Sequence, residues 1–350
     1  MASEWPTIEP GDAGFAPELM ERIAEAQRSG RLAGLHGLVI VRHGKVVLEQ
    51  YGTGDDFEWG ESLGLVEFGP DTLHDLRSVS KSVVGLLYGI ALASGQAPEP
   101  SEPLLRHFPE YPDLAADPGH ATLTVGHALT MTLGLDWHED VPYTSTANSE
   151  IAMEFAPDRY RFILERQIVE APGVRWSYCG GATALLGALI ARGSGEPLQS
   201  FARDRLFGPL GIETFEWMAG QDGVASPASG LRLAPRDLAR IGQMVLNRGQ
   251  WDGREVVRGD WLDEMLRSRV QIGDGREYGY QWYLGSSSPS GRDPSPLRWI
   301  GANGNGGQRL FIFPDLDLVV AQTAGNYDAA NQSALSTILL NDLILPDLNR

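Results

Sequence analysis

Apolar positions near the start of the chain recur on a helical period, with Leu19, Ile23 and Ala26 on one stripe, which predicts an amphipathic helix over residues 16–29. Two β-rich runs, 36–42 and 45–51, then flank His43-Gly44, the pattern of a hairpin with a two-residue turn. From Ser78 to about residue 267 the periodicity is helical, with helices predicted over 78–94, 125–131, 156–165, 182–192, 198–207 and 235–247. Strand patterns return at 279–284, 308–313 and 316–323, and a last helical stretch covers 329–343. Both ends of the chain therefore supply strands and the middle supplies helices. The expected fold is α/β of the α+β type: residues 1–77 and 268–350 build one antiparallel sheet flanked by the terminal helices. The mainly helical region 78–267 is inserted, and the active site lies between the two.

Composition narrows what such a fold can do. The chain has 350 residues, 42% of them hydrophobic, enough for a large core. Its net charge of −18 argues against nucleic acid or an anionic membrane as partner, since either demands basic patches. Neither a signal-peptide pattern nor a run of about 18 apolar residues occurs, so a cytoplasmic location is expected. Cys179 is the only cysteine, which excludes an intrachain disulfide. The seven histidines, His36, His43, His74, His107, His120, His127 and His138, show no zinc-hydrolase spacing, and neither metal nor cofactor is expected.

Candidate nucleophiles can then be compared. Gly60-Glu61-Ser62-Leu63-Gly64 matches a nucleophile-elbow pattern, but the segment before it is polar and glycine-rich, and no histidine follows His138 to complete a triad. Ser62 is expected in a surface loop. Ser78-Val79-Ser80-Lys81 is the stronger candidate. One helical turn brings Ser78 and Lys81 onto the same face, where the amine can take the hydroxyl proton. A lysine that is partly desolvated near the positive helix end is expected to shift toward its neutral form.

Two further constellations contain chemistry. In Pro172-Gly173-Val174-Arg175-Trp176-Ser177-Tyr178-Cys179-Gly180-Gly181, Tyr178 sits in a glycine-bounded loop before a helix, either as a proton carrier near the lysine or as a packed core residue. In Gly301-Ala302-Asn303-Gly304-Asn305-Gly306-Gly307-Gln308, glycines precede a strand, and such an edge can offer a backbone N–H to an oxyanion or be a simple loop.

In order and spacing these three pieces resemble the serine β-lactamase and penicillin-binding-protein superfamily, with its Ser-x-x-Lys, Tyr- or Ser-centred loop and Lys-Thr-Gly strand. The resemblance is strongest to class C β-lactamase-like hydrolases, including family VIII carboxylesterases and 6-aminohexanoate-dimer hydrolases. It covers 74–89, 129–135, 172–187, 207–212 and 306–326. It implies the DD-peptidase/class C β-lactamase-like fold, Ser78 as the acylated nucleophile, Lys81 as its base and Tyr178 as the proton relay to the leaving group. Where class C enzymes have Tyr-x-Asn, this chain has Tyr178-Cys179-Gly180, and where they have Lys-Thr-Gly it has Ala302-Asn303-Gly304, or Trp299-Ile300-Gly301 if the register slips. The anchors for a β-lactam side chain and carboxylate are thus missing. By this likeness Asn305 supplies the second oxyanion N–H beside that of Ser78, Asn303, Gly304 and Gly180 border the substrate, and Tyr143 lines the acyl pocket. The implied activity is hydrolysis of small-molecule carboxylic esters, with short linear amides or β-lactams and D-amino-acid peptides as alternatives, and a non-catalytic binding homologue as the contrasting class.

Overall fold

The computed structural model describes residues 5–290, 295–346 and 348. The early hairpin forms as expected: Leu35–Arg42 and Lys45–Tyr51 run antiparallel, joined by His43 and Gly44 with φ of 54° and 70°. Both turn residues are left-handed, as a tight two-residue connection requires. The first strand is buried at every position because it lies inside the sheet, between Lys45–Tyr51 and Leu318–Ala324. Eight antiparallel strands make this sheet, in the spatial order Val270–Gly273, Arg276–Tyr278, Tyr283–Ser287, Leu297–Gly304, Gln308–Phe313, Leu318–Ala324, Leu35–Arg42, Lys45–Tyr51.

Alternation along the strands separates two cores, because successive side chains point to opposite faces. Leu38, Ile40, Phe311, Phe313 and Val320 pack with Leu19 and Ile23 of the helix Leu19–Arg28 and with Leu339 and Leu343 of the last helical segment. Val39, Val41, Ala302, Leu310, Ile312 and Val319 pack on the other face with the helical region. On that face Pro235–Leu246 lies so close that a Cβ at Gly242 would stand 2.6 Å from Val319 Cγ1. The large sheet takes its strands from residues 35–51 and 270–324, and the helices Val79–Ala93 and Gly180–Ser194 come from the segment between.

Several elements differ from the sequence reading. The polar stretch after Tyr51 is a second hairpin, Thr53–Glu58 with Glu61–Glu67, and Ser62 is exposed on one of its strands. The expected strand over 279–284 begins only at Tyr283, because Tyr280 and Gln281, the latter with φ 63°, turn toward the helical region. There the Gln281 carbonyl accepts from Ser82 Oγ at 2.7 Å, and its side-chain oxygen accepts from Thr183 Oγ1 at 2.7 Å. Trp282 Nε1 donates to the Ser82 carbonyl at 3.0 Å. This single turn ties together the two helices that carry the first and second motifs. Trp282 is consequently a core residue.

Candidate active site

The helix Val79–Ala93 begins at Ser78, and the approach to it is strained. Arg77 has φ 49°, a left-handed conformation uncommon for a side chain of this kind. Its guanidinium lies over the Tyr327 ring at 4.9 Å, and its Nε is 3.2 Å from Asp75 Oδ2. A serine at the start of a helix usually turns its oxygen back onto the first free N–H groups. Ser78 does not: its φ and ψ are helical, −66° and −5°, and its side chain makes no capping bond. The hydroxyl is left for side-chain partners. Lys81 Nζ donates to Ser78 Oγ at 3.2 Å. The Lys81 ammonium also lies 4.8 Å from the centre of the Tyr178 ring.

Lys81 is 2% exposed, and its other two donors are also used, one to the Ala228 carbonyl at 2.9 Å and one to Glu150 Oε2 at 3.0 Å. This arrangement overturns the expectation of a neutral lysine. Burial does push the amine toward its neutral form, but the carboxylates of Glu150 and Glu139 outweigh it and hold Lys81 as an ammonium.

Glu150 and Glu139 are the residues that the periodicity of the chain did not single out. Glu150 opens the short helix Ser149–Glu154, where Asn148 caps the N-terminus by accepting from the Glu150 and Ile151 N–H groups. The cap was the available signal, since an Asn before a Ser-Glu pair starts a helix. What the sequence hides is that this helix packs its first turn inward against Lys81. Glu139, in the preceding loop, accepts from Tyr143 Oη at 3.0 Å, from the Trp137 indole N–H and from the Gly180 N–H. The two carboxyl groups are neighbours, and Glu139 feels the Glu150 charge. Burial and the neighbouring Glu150 charge raise Glu139 to about 7, so one proton is held between the two acids, while Lys81 keeps Glu150 below the usual range. Burial raises the Tyr178 hydroxyl well above its ordinary value, so it rests as the neutral phenol.

The glycine in the second motif now has a physical reason. A Cβ at Gly180 would stand 2.1 Å from Glu150 Oε2 and 3.1 Å from Glu139 Oε1. The space that an amide side chain would fill there is occupied by the two acids.

The third motif lies in a strand as well as a loop, since Leu297–Gly304 is the fourth strand of the sheet and pairs with Gln308–Phe313. Gly304 ends this strand against the segment leading into Ser78: a Cβ on it would meet the Leu76 carbonyl at 2.3 Å. Asn303 faces the opposite side, lining a hollow with Asp274, Arg276, Arg309 and Ser333 under the terminal helix, so the expectation that it borders the substrate is corrected by the two-residue period of the strand. Trp299 shares that far face and packs on Phe311, which leaves Ala302 and Gly304 as the positions facing the helical region. The Asn305 side chain is committed to Asp328, donating to its Oδ1 at 2.6 Å and accepting from its N–H at 2.9 Å. Tyr143 stands beside the cluster through Glu139.

The Beta-lactamase family profile matches residues 19–334 of the chain. The 6-aminohexanoate-dimer hydrolase of Paenarthrobacter ureafaciens is 25% identical over 326 residues, 87% of this chain and 74% of that protein. Esterase EstB of Burkholderia gladioli is 28% identical over 208 residues, 57% of this chain and 51% of that one. Among solved structures, a putative 6-aminohexanoate-dimer hydrolase from Bacillus anthracis superposes with a TM-score of 0.74 at 18% identity, over 96% of this chain and 86% of that one. The fold is therefore that of the β-lactamase-like hydrolases. The chain belongs to the Beta-lactamase family and is an enzyme of the hydrolase class.

Proposed function

We propose that the chain is a serine hydrolase that cleaves short carboxylic esters through an acyl-enzyme on Ser78. The observation that carries this reading is the Ser78 hydroxyl itself: free of any capping bond, hydrogen-bonded by Lys81 with Tyr178 beside it, and only half-buried, so a substrate can reach it. Oγ attacks the ester carbonyl, forming the new C–O bond. Its proton passes to Lys81 as Lys81 gives one of its own to Glu150, so the ion pair as a whole is the base. Lys81 thereby stays an ammonium, Glu150 becomes the neutral acid, and the negative charge that leaves Glu150 reappears on the tetrahedral oxyanion, a transfer that needs no solvent. The oxyanion is met by the Ser78 N–H and, at the end of the third-motif strand, by the Asn305 N–H. Tyr178 then relays a proton to the departing alkoxide as the C–O bond to the leaving group breaks. Water repeats the sequence on the acyl-enzyme and frees the acid.

Esters are favoured over β-lactams by charge. A β-lactam carboxylate would find Ala302 where the resembled enzymes place a lysine, and its amide side chain would find Glu139 and Glu150 at Gly180. An unmet carboxylate in a desolvated cleft costs a few kcal/mol, or ~100-fold in kcat/KM. Short linear amides are the second reading, supported by the relative named as a 6-aminohexanoate-dimer hydrolase and by the position of Tyr178, which suits protonation of an amine. Side-by-side kcat/KM values for p-nitrophenyl butyrate, nitrocefin and linear 6-aminohexanoate dimer decide between them. The ester is expected to lead; a nitrocefin value above it would overturn the reading. A fluorophosphonate probe should label Ser78 and nothing else.

A further inference from the structure

His36, Asp56 and His74 are scattered in the sequence and converge below the segment that leads into Ser78. His36 lies on the first sheet strand, Asp56 on the second hairpin, and His74 four residues before the nucleophile. All three are buried, Asp56 and His74 completely, and one ligand atom from each lies within 4.8 Å of the others. His36 Nδ1 faces His74 Nε2 at 2.9 Å, and His74 Nε2 is 3.5 Å from Asp56 Oδ1.

Three details bear on what this cluster can hold. First, His74 Nδ1 lies 3.3 Å from the Asp75 carbonyl, an acceptor only, which places the proton on Nδ1 and leaves the Nε2 lone pair aimed into the cluster. A backbone carbonyl on the outer nitrogen is the usual support of a metal-ligating histidine. Second, Asp56 Oδ2 has no hydrogen-bond partner among the described residues, and Oδ1 has the Tyr327 hydroxyl at 3.2 Å. The nearest cations are already engaged, Arg77 with Asp75 and Arg232 with Glu58 and Glu216, so a buried carboxylate is short of positive charge. Third, the His36 ring is clamped: it stacks on Phe68 at 4.2 Å, and a Cβ at Gly54 or Gly325 would come within 2.4 Å of it.

We propose that His36, Asp56 and His74 form a binding site for a divalent first-row transition ion of the zinc type, which pins the segment leading into Ser78. With ligand distances of about 2.0–2.1 Å, tetrahedral edges are about 3.3 Å, so the His74–Asp56 edge already fits, the two rings need to part by a few tenths of an ångström, and the His36–Asp56 edge, bounded by 4.8 Å, closes as the ion is taken up. The two-imidazole, one-carboxylate donor set suits zinc and its neighbours over magnesium or calcium, which prefer oxygen cages. Both rings are neutral at physiological pH, as ligation requires, because burial lowers His36 to about 4 and His74 to about 3. On binding, His36 moves its proton to the outer nitrogen and Nδ1 becomes the ligand. The ion stands apart from the Ser78 proton path, so the serine chemistry does not run through it.

The experiment is isothermal titration of the chelator-dialysed full chain with zinc, then with magnesium, alongside His36→Gln and Asp56→Asn. One zinc per chain is expected in the wild type, with no response to magnesium, a raised unfolding temperature, and an affinity at least about 100-fold weaker in each variant. Exposed histidine–acid pairs such as His43–Asp317 and His138–Asp136 would bind zinc in wild type and variants alike, and that outcome overturns the proposal. Should the variants fail to fold, cobalt(II) on the wild type decides. An intense visible spectrum of a four-coordinate site supports the assignment, and the pale spectrum of hexa-aquo cobalt refutes it.

Discussion

The Lys81–Glu150 pair makes a quantitative prediction about stability that is separate from catalysis. Both side chains are 2% exposed and 3.0 Å apart, so neither charge has water to fall back on. Replacing Lys81 with Met removes the cation and leaves two buried acids facing each other across the Gly180 backbone. Breaking a buried pair from one side costs about 3–5 kcal/mol. The acids can relieve part of this by taking up protons, so the loss should be largest at pH 8 and smaller at pH 5.5. Lys81→Met/Glu150→Gln, which removes both charges, should recover most of the deficit. Urea unfolding followed by far-UV circular dichroism measures all four members of the cycle, with Ser78→Ala as the control. That variant should be inactive yet within about 1 kcal/mol of wild type, because the serine is half-exposed and supports no cap. A Lys81→Met loss below about 1 kcal/mol at pH 8, or a double variant as unstable as the two singles summed, would refute the buried ion pair.

Further outcomes follow from the same geometry. Ser78→Ala should lower kcat by several orders of magnitude and Tyr178→Phe by ~100-fold, read with p-nitrophenyl butyrate. Because Glu139 titrates near 7, activity should rise with pH through that region as the acid pair gains a free acceptor, and Glu139→Gln should flatten this limb. An unmoved limb would sink the role given to the pair. The native state keeps a proton on Glu139 that the unfolded chain releases near 4.5, so this residue's contribution to stability should decline as pH rises from about 4.5 to about 7. Gly180→Asn should not restore β-lactam turnover; with a Cβ contact of 2.1 Å to Glu150, it should lower soluble yield and esterase activity together.

Much of this architecture was legible from pattern alone, and the failures have identifiable causes. Strands 35–42, 45–51 and 308–313 were readable because each is a β-branched, apolar run with clear punctuation. The strand Leu297–Gly304 was not, because Gly301 and Gly304 let it pass tightly against the Leu310 and Leu76 carbonyls, and glycines read as loop. The Ser78–Lys81 contact was readable because it is local, one turn apart. Glu139 and Glu150 act on Lys81 from more than fifty residues away, and nothing in a carboxylate's local context says whether it faces solvent or a buried ammonium. The same limit hid His36, Asp56 and His74, whose convergence depends on three separate elements meeting.

The place of Leu35–Arg42 beside Leu318–Ala324 carries a consequence for biosynthesis. The strand that pairs with this early hairpin is the last of the sheet to be made: the hairpin waits with one edge open until the strand some 280 residues later has left the ribosome. Contacts of such long sequence separation are slow to close. During translation the early hairpin's open edge and its apolar faces remain uncovered, a hazard for association between nascent chains. Ser78 and Lys81 emerge early, but the strand end at residue 304 that packs against the segment leading into Ser78 comes late, so on the proposed mechanism the nascent chain becomes competent for acylation only when nearly all of it has been synthesised.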